Sequence, residues 1–223
     1  LYLWCKKAKR SSQPIIFTAH MDHPGFVVSK VCDSKSVEAV FRGGVEDAYF
    51  VGSKVRWSSP KTPGRSVDGK VVLKQPDSKK ALDPRFLIRW KGKNSEVAVG
   101  DVVTWAIRPS YIKKDRLYAP ACDDLAAVAA ALSALEGLSR LRRPNDVRVL
   151  LTRSEEVGFI GAMAACQSRL IPQRSRLICQ ENSRSFQDSP IGGGPIVRVG
   201  DRTSTFDPLL TYQVAQVAQQ LVS

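Results

Sequence analysis

The chain has no Cys-x-x-Cys pair, no apolar run long enough to cross a bilayer, no internal repeat and no aromatic residues interleaved with its basic clusters. Each absence excludes a class of function. The five cysteines, at 5, 32, 122, 166 and 179, lack the spacing of a thiolate metal site or a redox motif, and an odd number cannot all pair within the chain. They are expected as buried free thiols in a reducing compartment, taken here as the cytoplasm. A membrane helix needs about 20 consecutive apolar residues, so no membrane partner is expected. The 34 Lys and Arg against 21 Asp and Glu leave a formal charge of +13, a sign that anionic partners would read. The clusters at Lys6 to Arg10, Lys79-Lys80 and Arg140 to Arg143 are short and scattered, however. A basic solvated surface is therefore expected, not a nucleic-acid platform. Histidine is scarce, with His20 and His23 and none after them. The chain begins at Leu1 without Met and stops at Ser223 without a capping or linker signal, which reads as truncation at both ends.

What is present centres on Thr152 to Ala162, T-R-S-E-E-V-G-F-I-G-A, where two adjacent glutamates end an apolar run. Val147 to Thr152 is β-branched and apolar and reads as a buried strand. It delivers Glu155 and Glu156 to its C-terminal end, where open α/β sheets bind ligands. Neighbours on a strand face opposite ways, so both acids can face one site only if the strand has already broken, as Gly158 and Gly161 suggest. The alternative is a solvated acidic turn.

At 223 residues the chain can hold one large domain, or one with a smaller insertion. Residues 13–19 read as a strand ending at His20-Met21-Asp22-His23, and 26–31 as the next strand. From 36 to 107 the texture changes to short β-type runs separated by Gly, Pro, Asp and Ser, as in a small barrel or sandwich. This predicts an inserted β domain over 36–107 and a discontinuous α/β domain of 1–35 and 108–223. Residues 123–137, rich in Ala and Leu, predict a buried helix with Asp123 and Asp124 at its start and Gly137 as its stop. A short helix at 160–168, strands at 175–180 and 196–199 and a helix at 208–222 complete the reading.

His20, Asp22, Asp123, Asp124, Glu155, Glu156 and Glu181 thus gather at strand and helix ends. One imidazole with several carboxylates is a donor set for zinc, cobalt or manganese. Each residue also has a simpler reading: His20 as an ordinary core or surface histidine, and Asp123-Asp124 as a helix cap.

In order along the chain, T-A-H-M-D-H-P-G-F at 18–26, C-D-D-L-A-A-V at 122–128, S-E-E-V-G-F-I-G-A at 154–162 and the acid at 181 resemble the motifs of the M42 family. That family comprises the glutamyl-aminopeptidase and TET-like di-metal exopeptidases. The resemblance covers nearly the whole chain, because the family also carries a β-rich dimerisation domain between its His and Asp motifs. It implies a three-layer α/β zinc-exopeptidase-like core with an inserted barrel-like domain. It further implies a two-metal aminopeptidase with two divalent ions, zinc or cobalt, a peptide substrate and a homo-oligomer, either a dimer or a dodecamer. Carried over, His20 and Glu181 would bind the first metal and Glu156 the second. Asp123 would bridge both, Asp22 would orient the imidazole and Glu155 would be the general base. Two departures stand out. The family takes a last histidine ligand from beyond the final helix, and here no histidine follows His23. At 181 a glutamate stands where aspartate is usual, and its longer arm should move the metal or the ligand backbone. His23 is expected as an exposed turn residue.

Two rival readings follow. A catalytically lapsed member could use the basic surface to bind nucleic acid or acidic partners. A carbohydrate hydrolase could use paired acids, but the four Trp lie mostly in the β insert and outline no sugar cleft.

Overall fold

The computed structural model describes residues 1–5, 13–76, 84–141 and 145–222. The basic stretches 6–10, 79–80 and 142–143 lie outside the described residues. Among those described, no helix is long and apolar enough to cross a membrane.

Four strands form one sheet: β1 (Tyr2–Trp4), β2 (Ile15–His20), β11 (Val147–Thr152) and β12 (Arg176–Cys179), in the order β1-β11-β2-β12. β2 runs parallel to both β11 and β12, while β1 is antiparallel to β11. Side chains alternate across the sheet. Val149 and Leu151 pack with Ala19, Ala127 and Ala131 against helix α1 (Cys122–Arg140), whereas Leu150 packs with Ile16 and Ala165 against helix α2 (Ile160–Gln167). The sheet therefore lies between helices, giving the expected three layers.

Between β2 and α1 the chain builds a closed barrel of six strands. These are β3 (Gly25–Asp33), β4 (Ser36–Arg42), β5 (Lys54–Ser58), β6 (Ser66–Lys74), β7 (Arg85–Trp90) and β8 (Val102–Trp105), closing in the order β3-β4-β7-β6-β5-β8. Phe26, Phe41, Phe50 and Phe86 fill it, with Trp105 against them and ring centroids 4.4–6.1 Å apart. Trp57 is fully buried and donates its indole N–H to Asp101 at 2.8 Å. A short hairpin, β9 (Tyr111–Lys113) and β10 (Arg116–Tyr118), leads from the barrel back to α1.

Five expectations need correction. The cysteines are free but not buried: Cys32, Cys166 and Cys179 are exposed, because near the ends of β3, α2 and β12 their small side chains find no core to enter. The barrel begins at Gly25, not at residue 36, because β3 is hydrogen-bonded to both β4 and β8. Apolar alternation looks the same whichever sheet a strand joins, so the sequence could not assign β3. Gly137 does not stop α1, which runs on to Arg140; a solvent-facing glycine costs a helix only about 1 kcal/mol. α1 buries one face only, leaving Leu125 and Leu132 exposed. Residues 196–199 join no strand ladder, since β-type residues need a neighbour to share their hydrogen bonds. The final helix, α3 (Pro208–Val222), falls where expected.

Candidate metal centre

The three parallel strands bring their C-terminal ends to one edge of the sheet, with Thr152 of β11 opposite His20 and Cys179 of β12 opposite Thr18. His20 closes β2 and is 4% exposed. Its Nδ1 lies 2.8 Å from the backbone carbonyl of Asp22. A carbonyl only accepts, so Nδ1 carries the hydrogen and Nε2 faces the acids. Nε2 is 3.1 Å from Asp123 Oδ1 and 3.9 Å from both Glu155 Oε2 and Glu181 Oε2.

The contact of Asp22 with the imidazole is made by its main-chain carbonyl, not by the carboxylate that the resemblance implied. That carboxylate stands 3.7 Å from Nδ1. Instead it accepts the backbone N–H of Glu155 at 3.2 Å and that of Glu156 at 3.4 Å. This sets the direction of the acidic turn. β11 has ended at Thr152, and Ser154, Gly158 and Phe159 adopt positive φ. The two glutamates therefore leave from a loop, free of strand alternation. Gly161 lets that loop close on α2, because a Cβ there would sit 2.2 Å from the Arg153 carbonyl oxygen.

Asp123 and Asp124 open α1 with non-helical dihedral angles, and no side chain caps the helix, so they are not an N-cap pair. Asp124 is fully buried. It accepts the His20 backbone N–H at 3.1 Å and the Asn182 side-chain amide at 3.0 Å. That same amide donates to the Cys122 carbonyl at 2.8 Å. Beyond β12, Glu181 folds back so that the Asn182 backbone N–H donates to its Oε1 at 3.0 Å. The longer arm is taken up by this return. Sequence reasoning missed Asn182 altogether; its one signal is an amide directly following a candidate acid. His23 is exposed, as expected.

The acids repel one another and are partly shielded from water. Burial, then the charges of Asp123 and Glu155, push Glu156 up to about 7. Burial, then Asp123 and Asp124, push Glu181 up to about 7. Burial also raises Glu155 and Asp124. For His20 burial works downward, but the Asp22 carbonyl and the charges of Glu155, Asp124 and Glu181 outweigh it, and the imidazole is raised. Every one of these groups calls for positive charge in the cluster.

Two sets of donor atoms lie within 4.8 Å of one another, His20 with Asp124 and Glu181, and His20 with Asp123 and Glu156. The donor chemistry fits a cation. With Nδ1 protonated, Nε2 and Asp123 Oδ1 are both acceptors at 3.1 Å, which is favourable only with a proton or a cation between them. The barrel forms part of the surround: at Gly43, with φ of +109°, a Cβ would lie 3.1 Å from Glu156 Oε2 and 2.8 Å from Pro24 Cβ.

The model of the M42 glutamyl aminopeptidase family matches residues 2–221. The chain belongs to that family. An Acetivibrio thermocellus relative, described provisionally as an aminopeptidase, is 24% identical over 211 residues, 90% of this chain. The chain spans 61% of that relative's length. Two solved structures share the fold. A TET aminopeptidase from the marine sediment archaeon Thaumarchaeota archaeon SCGC AB-539-E09 superposes with a TM-score of 0.79 at 22% identity, over 99% of this chain and 69% of that one. The TET1 peptidase of Pyrococcus horikoshii gives 0.74 at 21% identity, over 96% and 67%.

Proposed function

We propose that this chain belongs to a metal-dependent aminopeptidase that removes N-terminal residues from peptides. The observation that carries the reading is the His20 imidazole, at the end of β2, shared by two acid sets drawn from beyond β11 and β12 and from the start of α1. His20 and Glu181 would hold one divalent ion and Glu156 a second, with Asp123, 3.1 Å from the shared nitrogen, contributing to both. Imidazole and carboxylate donors without thiolate suit zinc or cobalt. Two such ions, when bound, acidify water and polarise the scissile carbonyl. Glu155 stands in neither set, and its Oε2 is 3.9 Å from His20 Nε2. Burial raises it above the ordinary carboxylate value, which strengthens it as a group to take a proton and return it to the leaving amine. Asp22 holds the Glu155 backbone, so the base is carried by the residue that also orients the imidazole.

Glu155→Gln in the full-length protein is the test. It should retain bound metal, measured by elemental analysis, and lose peptide hydrolysis by about 10²–10⁴-fold. Undiminished hydrolysis would remove Glu155 from the role of base. A wild-type protein without metal, binding duplex DNA in a salt-sensitive way, would favour the lapsed binding protein instead.

The barrel, inserted between His20 and Asp123, would be the dimerisation module of a larger homo-oligomer. The P. horikoshii TET1 peptidase assembles into a tetrahedron or a large octahedral shell. Light scattering on the full-length protein checks this, and a stable monomer would contradict it.

A further inference from the structure

Asn182 touches the chain on both sides of Asp123. Its side-chain nitrogen has two hydrogens. One goes to the carbonyl of Cys122, the residue before Asp123, at 2.8 Å, and the other to the carboxylate of Asp124, the residue after it, at 3.0 Å. The second acceptor is fully buried and also holds the His20 backbone N–H. The backbone N–H of Asn182 meanwhile fixes Glu181 Oε1. One residue therefore ties the start of α1 to the end of β12, across 60 positions of sequence.

We propose that Asn182 is a positioning residue of the metal centre, one that aims Asp123 and Glu181 together at the shared nitrogen of His20. The proposal rests on the metal-centre reading above. Among neutral side chains an amide suits the place because both contacts need a donor. An isosteric carboxylate at 182 would set oxygens against the Cys122 carbonyl and the Asp124 carboxylate, and truncation would leave the buried Asp124 one donor short. Partners of this kind, hydrogen-bonded to groups that hold a metal, typically change its affinity 10–100-fold.

The experiment is cobalt titration of the full-length protein, read by d–d absorbance and by competition with a chelator, for wild type, Asn182→Ala and Asn182→Asp. Asn182→Ser, which keeps one donor, replaces the alanine variant if that fails to fold. Loss of the side chain should weaken cobalt binding about 10–100-fold and alter the d–d spectrum, with the aspartate variant weaker still. A purely structural residue would lower the thermal midpoint yet leave affinity within twofold and the spectrum unchanged, and that result would overturn the proposal. Wild-type protein that takes up no cobalt would instead overturn the metal-centre reading on which the proposal rests.

Discussion

The carboxylate of Asp22 accepts the backbone N–H of Glu155 at 3.2 Å, while the Asp22 carbonyl takes the Nδ1 hydrogen of His20. One residue thus orients the imidazole and the nearby acid through different atoms. Asp22→Asn should separate the two tasks. The main-chain bond to His20 survives, but the side chain loses one of the oxygens that hold the Glu155-Glu156 turn. Peptide hydrolysis should fall about 10–100-fold, with cobalt affinity falling less than in His20→Ala. Parallel activity and cobalt titrations check this, and an equal loss of affinity in both variants would refute it.

Gly43 tests how closely the barrel abuts the centre. Its positive φ disfavours a side chain, and a Cβ would press on Pro24 and on Glu156 Oε2. Gly43→Ala should lower stability by more than about 1 kcal/mol and weaken the metal held through Glu156. Gly44→Ala is the control, since nothing lies within 4 Å of a Cβ there. Urea unfolding with and without metal distinguishes the two.

The metal-free protein should become less stable as pH rises from about 4.5 to about 7. Glu156 and Glu181 are raised from 4.5 to about 7 on folding. The folded state therefore binds protons more tightly than the unfolded one, and the associated stability is present below 4.5 and lost as pH climbs through the folded values. His20, also raised, acts in the same direction above about 6.5. Divalent metal should reverse the slope and release protons on binding. Thermal unfolding across this pH range, with and without zinc, measures both effects, and a metal-free midpoint rising between pH 5 and 7 would contradict the assignment.

The aromatic core predicts the barrel's dependence on one ring. Phe26 is fully buried and meets Phe41, Phe50, Phe86 and Trp105 at centroid distances of 5.1–6.1 Å. Phe26→Ala should cost about 3–5 kcal/mol. Denaturant unfolding followed by tryptophan fluorescence is the check; a loss under 1 kcal/mol would mean that the core collapses around the gap.

Much of this was legible because the signals were local. The β-branched run of β11 ends at the residue expected, and the alternating runs between 37 and 107 all became barrel strands. The acids at the strand ends could be named because their places follow from where strands stop. What escaped depended on partners distant in sequence. Strand β3 pairs with β8 across more than 70 positions, and nothing in its own residues says so. Residues 196–199 have the composition of a strand but join no ladder among the described residues, although the Val199 carbonyl accepts the Phe206 N–H at 3.1 Å. The carbonyl of Asp22, not its carboxylate, meets His20, and no side-chain pattern reveals a main-chain acceptor. Asn182 acts through Cys122 and Asp124, which fall beside it only once α1 and β12 are in place.

The barrel closes by pairing β3 with β8, Phe26 opposite Val103. The chain therefore returns close to where it left, and this bears on folding order. His20 and Asp123 are 103 residues apart, and joining them directly would mean closing a loop of that length. Once the barrel has formed, only the short segments from 20 to 26 and from 103 to 123 remain between them, and the entropy of closure falls by about 1 kcal/mol. A barrel that folds first would thus act as a splint, shortening the loop that the contact between His20 and Asp123 has to close.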